Sequence, residues 1–249
     1  MKAIVVHQYG GPEALKYEDA PRPEPKEDEM LVRVVAAAVN PVDAFIRAGR
    51  FKAGSLPFIP GMDVSGVIEK TGATITRFKA GEPVYAYLSF REQGGYAEFA
   101  IAKENETSPK PKAINFEQAA AVPLAATTAW QALIETAKLS AGQTVLIHGG
   151  SGGVGHFAIQ IAKARGAKVI ATASTSNQDL LRQLGADQAI DYTKTRFEGV
   201  VKDVDVVLEA TRSDALAHSY GVVKKGGIIV SITGAPNPYV RCQVWRASV

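Results

Sequence analysis

The chain has 249 residues, a length suited to one or two domains, and its 46% apolar and 21% charged composition fits a globular protein with a sizeable core. Its 28 basic and 25 acidic side chains are dispersed and leave a net charge of +3, which excludes the clustered basic face of a nucleic-acid binder. A lone cysteine, Cys242, excludes an intrachain disulfide framework and a multi-cysteine zinc site; the apolar run after Lys2 is too short for a signal-peptide core or a membrane span, so the expectation is a cytoplasmic protein with no membrane partner.

Up to Pro123 the sequence reads as short β-rich segments at 2–6, 31–39, 64–69, 84–88 and 96–102, broken by turns such as Gly10-Gly11-Pro12 and Ile59-Pro60-Gly61. Irregular short strands with such turns suggest a partly open barrel or sandwich. Beyond Pro123 strands alternate with helices. Residues 144–147 are a short apolar run of the buried parallel type, and Val154, Phe157, Ala158, Ile161 and Ala162 mark one helix face. Residues 168–173 form a second predicted strand, and Asn177 is placed to cap a helix burying Leu180, Leu181 and Leu184 before Gly185. A third strand covers 188–192, a short helical crossover carries Phe197, and a fourth strand covers 204–208. Ser213 is read as opening a helix with Leu216, Tyr220 and Val223, ahead of a fifth strand at 228–233. Alternation of this kind implies a doubly wound parallel sheet.

The chemistry concentrates in His148-Gly149-Gly150-Ser151-Gly152-Gly153-Val154-Gly155, which contains G-x-G-x-x-G between a predicted strand and a predicted helix. Glycines there permit a tight turn, close approach of backbone to a pyrophosphate, and packing of helix on strand. The helix N-terminus would hold the anion through free N–H groups and the helix dipole. In that context the motif predicts dinucleotide binding.

NAD-binding folds usually carry an acid at the end of the second strand to hold the ribose 2′-hydroxyl. Here the segment is Thr172-Ala173-Ser174-Thr175-Ser176-Asn177, without a carboxylate, which favours NADP(H); the expected nearby cation is absent, and Ser176 or Asn177 also suits a plain helix cap.

With Asn40-Pro41-Val42-Asp43, Pro60-Gly61-Met62-Asp63-Val64-Ser65-Gly66, Gly94-Gly95-Tyr96-Ala97-Glu98-Phe99, Thr127-Thr128-Ala129-Trp130 and the glycine loop, the chain resembles the medium-chain dehydrogenase/reductase superfamily in its zinc-independent, quinone oxidoreductase-like branch. The resemblance runs along the whole chain. It implies an α/β protein: a GroES-like β-rich catalytic domain, placed at 1–122, then a doubly wound Rossmann NADP-binding domain at 123–249, with the active site in the cleft between them. Zinc-dependent members carry a metal-binding Cys at the position of Asn40 and a His at that of Met62, so no metal is expected: an amide is a poor zinc ligand and a thioether is too soft.

The resemblance further implies hydride transfer from NADPH to a small-molecule quinone or enone. Asn40 and Thr128 are the candidate catalytic residues, and Phe45 and Phe51 the acceptor wall. Gly149, Gly150, Ser151, Gly152, Gly153, Val154 and Gly155, with Ser174, Asn177 and Tyr192, are the candidate cofactor contacts. Family quinone reductases often have tyrosine at 45 and 51, so an enone fits as well as a quinone. Gln178 stands where a lysine often supports the 2′-phosphate, and Arg212 where glycine is frequent. Asn40 also suits a turn before Pro41, and Thr128 a hydrogen bond within a helix. Asp43 is a candidate to orient the neighbourhood of Asn40 and also suits a structural carboxylate; Tyr85 and Tyr87 are candidate proton donors that also suit a strand core, and the four histidines, which share no ligand spacing, read as structural.

Family members extend further, finishing the sheet and dimerising through that edge, so this chain is read as a Rossmann domain lacking its last elements, with Arg246-Ala247-Ser248-Val249 beginning the sixth strand and a homodimer as the possible assembly. The competing reading is a truncated NADPH-binding protein without catalytic activity, a remnant or a sensing module.

Overall fold

The computed structural model describes residues 1–51, 55–89 and 94–233, and the backbone of 243–246; Gly234 to Pro238, Cys242 and Ala247 to Val249 lie outside the described residues. Two compact units are present, Met1–Leu124 and Ala125–Val249.

The first unit opens with β1 (Lys2–Val6) and β2 (Leu15–Asp19), an antiparallel pair in which Ile4 faces Tyr17. Charge at Lys16, Glu18 and Asp19 masked β2 in the sequence, because this strand is held by its ladder rather than by burial. Then come β3 (Glu29–Ala38), α1 (Pro41–Arg47), β4 (Asp63–Thr71), β5 (Pro83–Tyr87), β6 (Phe99–Lys103), β7 (Thr107–Pro109) and α2 (Phe116–Ala120). Strands β3 to β7 form one antiparallel sheet in the order β6-β3-β4-β5-β7. Met30, Val32, Val64, Ile68 and Val84 alternate into its core. The strand expected at 96–102 begins only at Phe99, since Tyr96 is drawn off the ladder by hydrogen bonds from its N–H to Pro60 O (3.0 Å) and from Ile4 N to its carbonyl (2.8 Å).

Helix α3 (Pro123–Trp130) leads through a π-helical stretch, Gln131–Thr136, into the second unit. There β8 (Thr144–His148), α4 (Gly153–Ala164), β9 (Lys168–Ala173), α5 (Gln178–Gln183), β10 (Gln188–Asp191), β11 (Val204–Glu209), α6 (Ala215–Ser219), β12 (Val223–Ser231) and β13 (Gln243–Arg246) follow. All neighbours pair in parallel, in the order β10-β9-β8-β11-β12-β13. In chain order that is third, second, first, fourth, fifth, sixth: the doubly wound dinucleotide fold, with its reversal between β8 and β11. Val145, Ile147, Val169, Ala171, Val206 and Leu208 fill one face and Leu146, Ile170, Val207 and Ile229 the other, as a sheet covered on both sides requires.

Three further expectations are corrected. The sixth strand forms at Gln243–Arg246, earlier than the 246–249 start read from the sequence, so the sheet carries six strands. Val223 belongs to β12, where it pairs with Val204, and α6 stops at Ser219. In α5 Leu181 is fully buried but Leu180 is 39% exposed; adjacent helix positions lie about 100° apart, and a helix this short turns only one of them onto the sheet.

Candidate functional site

The glycine loop leaves β8 at its carboxyl end. Gly149 has φ +73°, a left-handed conformation, and a Cβ on it would meet Thr211 Cγ2 at 2.9 Å. Gly150 N donates to Thr172 O at 2.9 Å, fixing the turn to β9. At Gly155 a Cβ would fall 2.1 Å from Gly149 O, so only glycine lets α4 approach the loop. Gly152 is the helix N-cap and supplies no side-chain cap, so among the described residues the N–H groups of Gly153, Val154 and Gly155 have no carbonyl a turn earlier and no capping oxygen. Gly152 and Gly153 are exposed, and a Cβ on Gly153 would meet nothing within 4 Å. Unpaired donors, dipole and open space together suit an anion.

Below the loop, hydrogen bonds run in one direction. Ser219 Oγ donates to Ala215 O (2.7 Å), so His148 Nε2 must donate to Ser219 Oγ (3.0 Å) and Nδ1 must accept from Thr172 Oγ1 (3.3 Å). Thr172 Oγ1 in turn accepts from Gly149 N at 3.3 Å. His148 is therefore neutral; burial pushes its pKa down to about 4, against a smaller opposing pull from Glu198. Buried Glu209, at the end of β11, accepts from Thr211 N (2.5 Å) and Thr211 Oγ1 (2.6 Å), fixing the residue that packs against Gly149.

At the ends of β9 and β10, Asn177 Nδ2 donates to Ser174 Oγ at 3.1 Å, whose hydroxyl lies 3.3 Å from Ser176 Oγ. Asn177 precedes α5 but its amide makes no capping bond to it. Tyr192 follows β10 with 61% of its surface exposed. Gln178 Nε2 donates to Ala173 O (3.0 Å) and Ser174 O (3.3 Å), so it braces this segment. Sequence reasoning missed Asp191, whose carboxylate accepts from Thr175 Oγ1 (2.6 Å) and Thr193 Oγ1 (2.7 Å), bonds that hold its pKa below the usual range. Its place at a strand end beside Tyr192 was the available signal. Arg212 is exposed in the loop after β11.

In the first unit Asn40 occupies the N-cap position of α1, and Asp43 N donates to its backbone carbonyl at 3.0 Å. Asp43 Oδ2 accepts from Asn40 N (2.7 Å) and from the Tyr96 hydroxyl (2.8 Å), so its carboxylate ties the start of α1 to Tyr96. Asn40 Nδ2 donates to Asp63 Oδ2 at 2.9 Å, and Asp63 Oδ1 accepts from Leu124 N at 2.9 Å. Asp63 is fully buried, and that burial, more than it is offset by these hydrogen bonds, pushes its pKa up to about 7, with Asp43 adding to the rise. Met62 is buried among Val6, Ile46, Phe58 and Leu124. Phe45 and Phe51 meet edge to face with centroids 6.2 Å apart, Phe51 half exposed. Thr128 is buried within α3. His7 pairs with Glu18, His156 with Gly152 O, and His218 lies beside Glu198 and Asp214.

Residues 26–112 match the alcohol dehydrogenase GroES-like domain and residues 153–243 the zinc-binding dehydrogenase domain. The mouse quinone oxidoreductase is 38% identical over 249 residues, covering 96% of this chain and 74% of its own. The chain belongs to the medium-chain dehydrogenase/reductase superfamily, in its quinone oxidoreductase-like branch. Within that superfamily it is also 46% identical to an Arabidopsis thaliana NADPH-dependent alkenal/one oxidoreductase, over 96% of this chain and 64% of the relative. It spans 63% of a Solanum lycopersicum 2-methylene-furan-3-one reductase, at 43% identity. Among solved structures, the Coxiella burnetii quinone oxidoreductase aligns with a TM-score of 0.88 at 35% identity, covering all of this chain and 83% of the other. The Escherichia coli quinone oxidoreductase complexed with NADPH aligns with a TM-score of 0.88 at 30% identity, covering 100% of this chain and 81% of that one. The GroES-like and Rossmann architecture expected from the sequence is thereby confirmed. Among the described residues no helix is long and apolar enough to cross a membrane.

Proposed function

We propose that the protein is an NADPH-dependent, zinc-independent oxidoreductase that passes a hydride to a quinone or an α,β-unsaturated carbonyl compound. The observation that carries this reading is the uncapped and unobstructed N-terminus of α4, set at the carboxyl edge of a parallel sheet beside its reversal point. Relatives described as NADPH-dependent or as complexed with NADPH support the choice of cofactor. Residues 1–122 would form the catalytic domain and 123–249 the NADP-binding domain, working in the cytoplasm as a homodimer on a small-molecule substrate, without nucleic-acid or membrane partners.

Gly149, Gly150, Ser151, Gly152, Gly153, Val154 and Gly155 hold the pyrophosphate through main-chain N–H groups. The hydroxyl and amide donors of Ser174, Asn177 and Tyr192 hold the 2′-phosphate. NADPH, when bound, supplies the hydride. Asn40 donates an amide N–H to the acceptor's carbonyl oxygen and so stabilises the charge that develops there, while Thr128 positions the reacting groups. Phe45 and Phe51 give the acceptor an apolar wall. The Asn40 amide bonded to Asp63 and the Met62 thioether packed among apolar side chains leave no suitable zinc ligand at those positions.

The test is oxidation of NADPH by the purified chain with ortho-quinones, para-quinones and enones, with and without a chelator. Chelator-resistant turnover is expected. Tight NADPH binding by folded protein with no turnover on any acceptor would favour the non-catalytic reading. Asn40→Ala should lower turnover about 100-fold and leave NADPH affinity unchanged; wild-type turnover would remove Asn40 from the mechanism.

A further inference from the structure

Asn40 bridges two buried carboxylates, with its backbone N–H on Asp43 Oδ2 and its side-chain Nδ2 on Asp63 Oδ2. The other oxygen of Asp63 accepts from Leu124 N. That main-chain donor cannot become an acceptor, so a proton on Asp63 must sit on Oδ2, facing Asn40. A protonated Oδ2 is itself a donor and needs an acceptor along the line now occupied by the Asn40 N–H. Asn40 carries one, its own Oδ1, which a half-turn of the terminal amide brings to the same place.

The surroundings make this proton a real variable. Asp43 approaches from α1, its Oδ1 buried and without a hydrogen-bond partner among the described residues. Tyr87 stands opposite Asp63 in the β4–β5 ladder, and the Tyr96 hydroxyl is engaged with Asp43. Burial and the two carboxylates raise the Tyr87 and Tyr96 hydroxyls above the usual phenol range, so both stay neutral. Burial first, and then the like charge of Asp43, favours the acid form of Asp63; burial also raises the Asp43 carboxyl, against the hydrogen bonds it accepts from Asn40 and Tyr96.

We propose that Asp63 is a positioning residue for Asn40: as a carboxylate it holds the Asn40 Nδ2 group inward, and as an acid it holds Asn40 Oδ1 inward and turns both amide N–H donors outward. The hydrogen-bond geometry decides which way the amide turns with the Asp63 proton; the consequence for catalysis rests on the proposed role of Asn40. A buried carboxylate, missed as a site residue in the sequence, would then decide how many donors Asn40 offers an acceptor oxygen.

The experiment is NMR of the isotopically labelled chain without cofactor or acceptor, from pH 5.5 to 8.5. It follows the side-chain NH2 of Asn40, assigned by its loss in Asn40→Ala, and the Asp63 carboxyl carbon. The two signals should move together with one midpoint. In Asp63→Asn, whose amide can only donate toward Asn40 while its oxygen accepts from Leu124 N, the Asn40 signals should match the low-pH wild-type position and not titrate. Asp43→Asn should lower the midpoint and keep the two signals coupled. An Asn40 amide that stays fixed while Asp63 titrates, an Asp63 that does not titrate in this range, or an unchanged Asn40 titration in Asp63→Asn overturns the proposal. If Asp63→Asn does not fold, the wild-type co-titration and Asp43→Asn decide. Because no turnover is measured, a coupled titration in a protein that oxidises no NADPH would retract the function and leave the switch intact.

Discussion

Gly155 stands so close to Gly149 that a single methyl group on the first would fall 2.1 Å from the carbonyl oxygen of the second. Gly153, two residues away on the same helical turn, faces open space. One glycine is needed by the fold and the other by whatever approaches the helix. Gly155→Ala should therefore cost about 3 kcal/mol of stability or more, because backbone must shift to admit the methyl. Gly153→Ala should change stability by no more than about 0.5 kcal/mol and weaken NADPH binding about tenfold. Thermal unfolding and cofactor titration of both variants check the contrast, and equal destabilisation by the two would refute it.

Leu181 and Leu180 divide in the same way. Leu181 is fully buried, and its Cδ2 lies 2.8 Å from where a Cβ on Gly150 would be, so it is the floor beneath the loop. Leu181→Ala should cost about 2–5 kcal/mol, whereas Leu180→Gln should stay within about 0.5 kcal/mol. Denaturant titration separates them; a large loss at Leu180 would show that its face is covered.

The two units should answer pH with opposite signs. His148 has its folded pKa depressed to about 4 from 6.5, so its contribution is complete above pH 6.5 and is lost as pH falls through 4. Asp63 has its folded pKa raised to about 7 from 3.8, so its contribution is complete below 3.8 and is lost as pH rises through 7. Each effect is on the order of 3 kcal/mol. Hydrogen exchange at pH 4.5, 6 and 8 should show the first unit weakening toward pH 8 and the second toward pH 4.5. Asp63→Asn should remove the alkaline loss, and a first unit equally protected at all three values would contradict the assignment.

Gln178 gives its amide to two backbone carbonyls and adds no positive charge to the segment bearing Ser174 and Asn177. Gln178→Lys should raise the preference for NADPH over NADH about tenfold, since an ammonium can still reach a carbonyl while pairing with a 2′-phosphate. Dissociation constants for both cofactors measure it. An unchanged ratio would place the 2′-phosphate elsewhere.

Much of the second unit was legible because its signals are local. A buried strand, a glycine turn and an amphipathic helix each occupy one short window, and the 144–164 segment contains all three in order. Failures came where distant residues decide. Val223 looks helical by spacing, but the Val204 ladder claims it. Tyr96 looks like strand until Pro60 and Ile4 take its backbone groups. Strand β2 has too many charges to read as buried, since pairing alone makes it a strand. In the candidate site, Asn40 was visible from its motif, whereas Asp63, though inside a second motif, and Leu124 gave no sign of bonding in one chain with it. Their bonds join residues 23 and 61 apart in the chain, which no periodicity encodes. His148 likewise reads as one more histidine until Thr172 and Ser219 fix its tautomer.

The central claim, that the turn from Gly149 to Gly155 binds a nicotinamide dinucleotide phosphate, is tested most directly by calorimetric titration of NADPH and NADH into the wild-type chain and Gly152→Val. A Cβ at Gly152 meets only Gly149 O at 3.3 Å, so the variant should fold with a slight local adjustment while its side chain fills the space above the helix N-terminus. The account predicts that wild type binds NADPH more tightly than NADH and that folded Gly152→Val binds neither measurably. Undiminished NADPH binding by the variant, or no binding by folded wild-type protein, would contradict it.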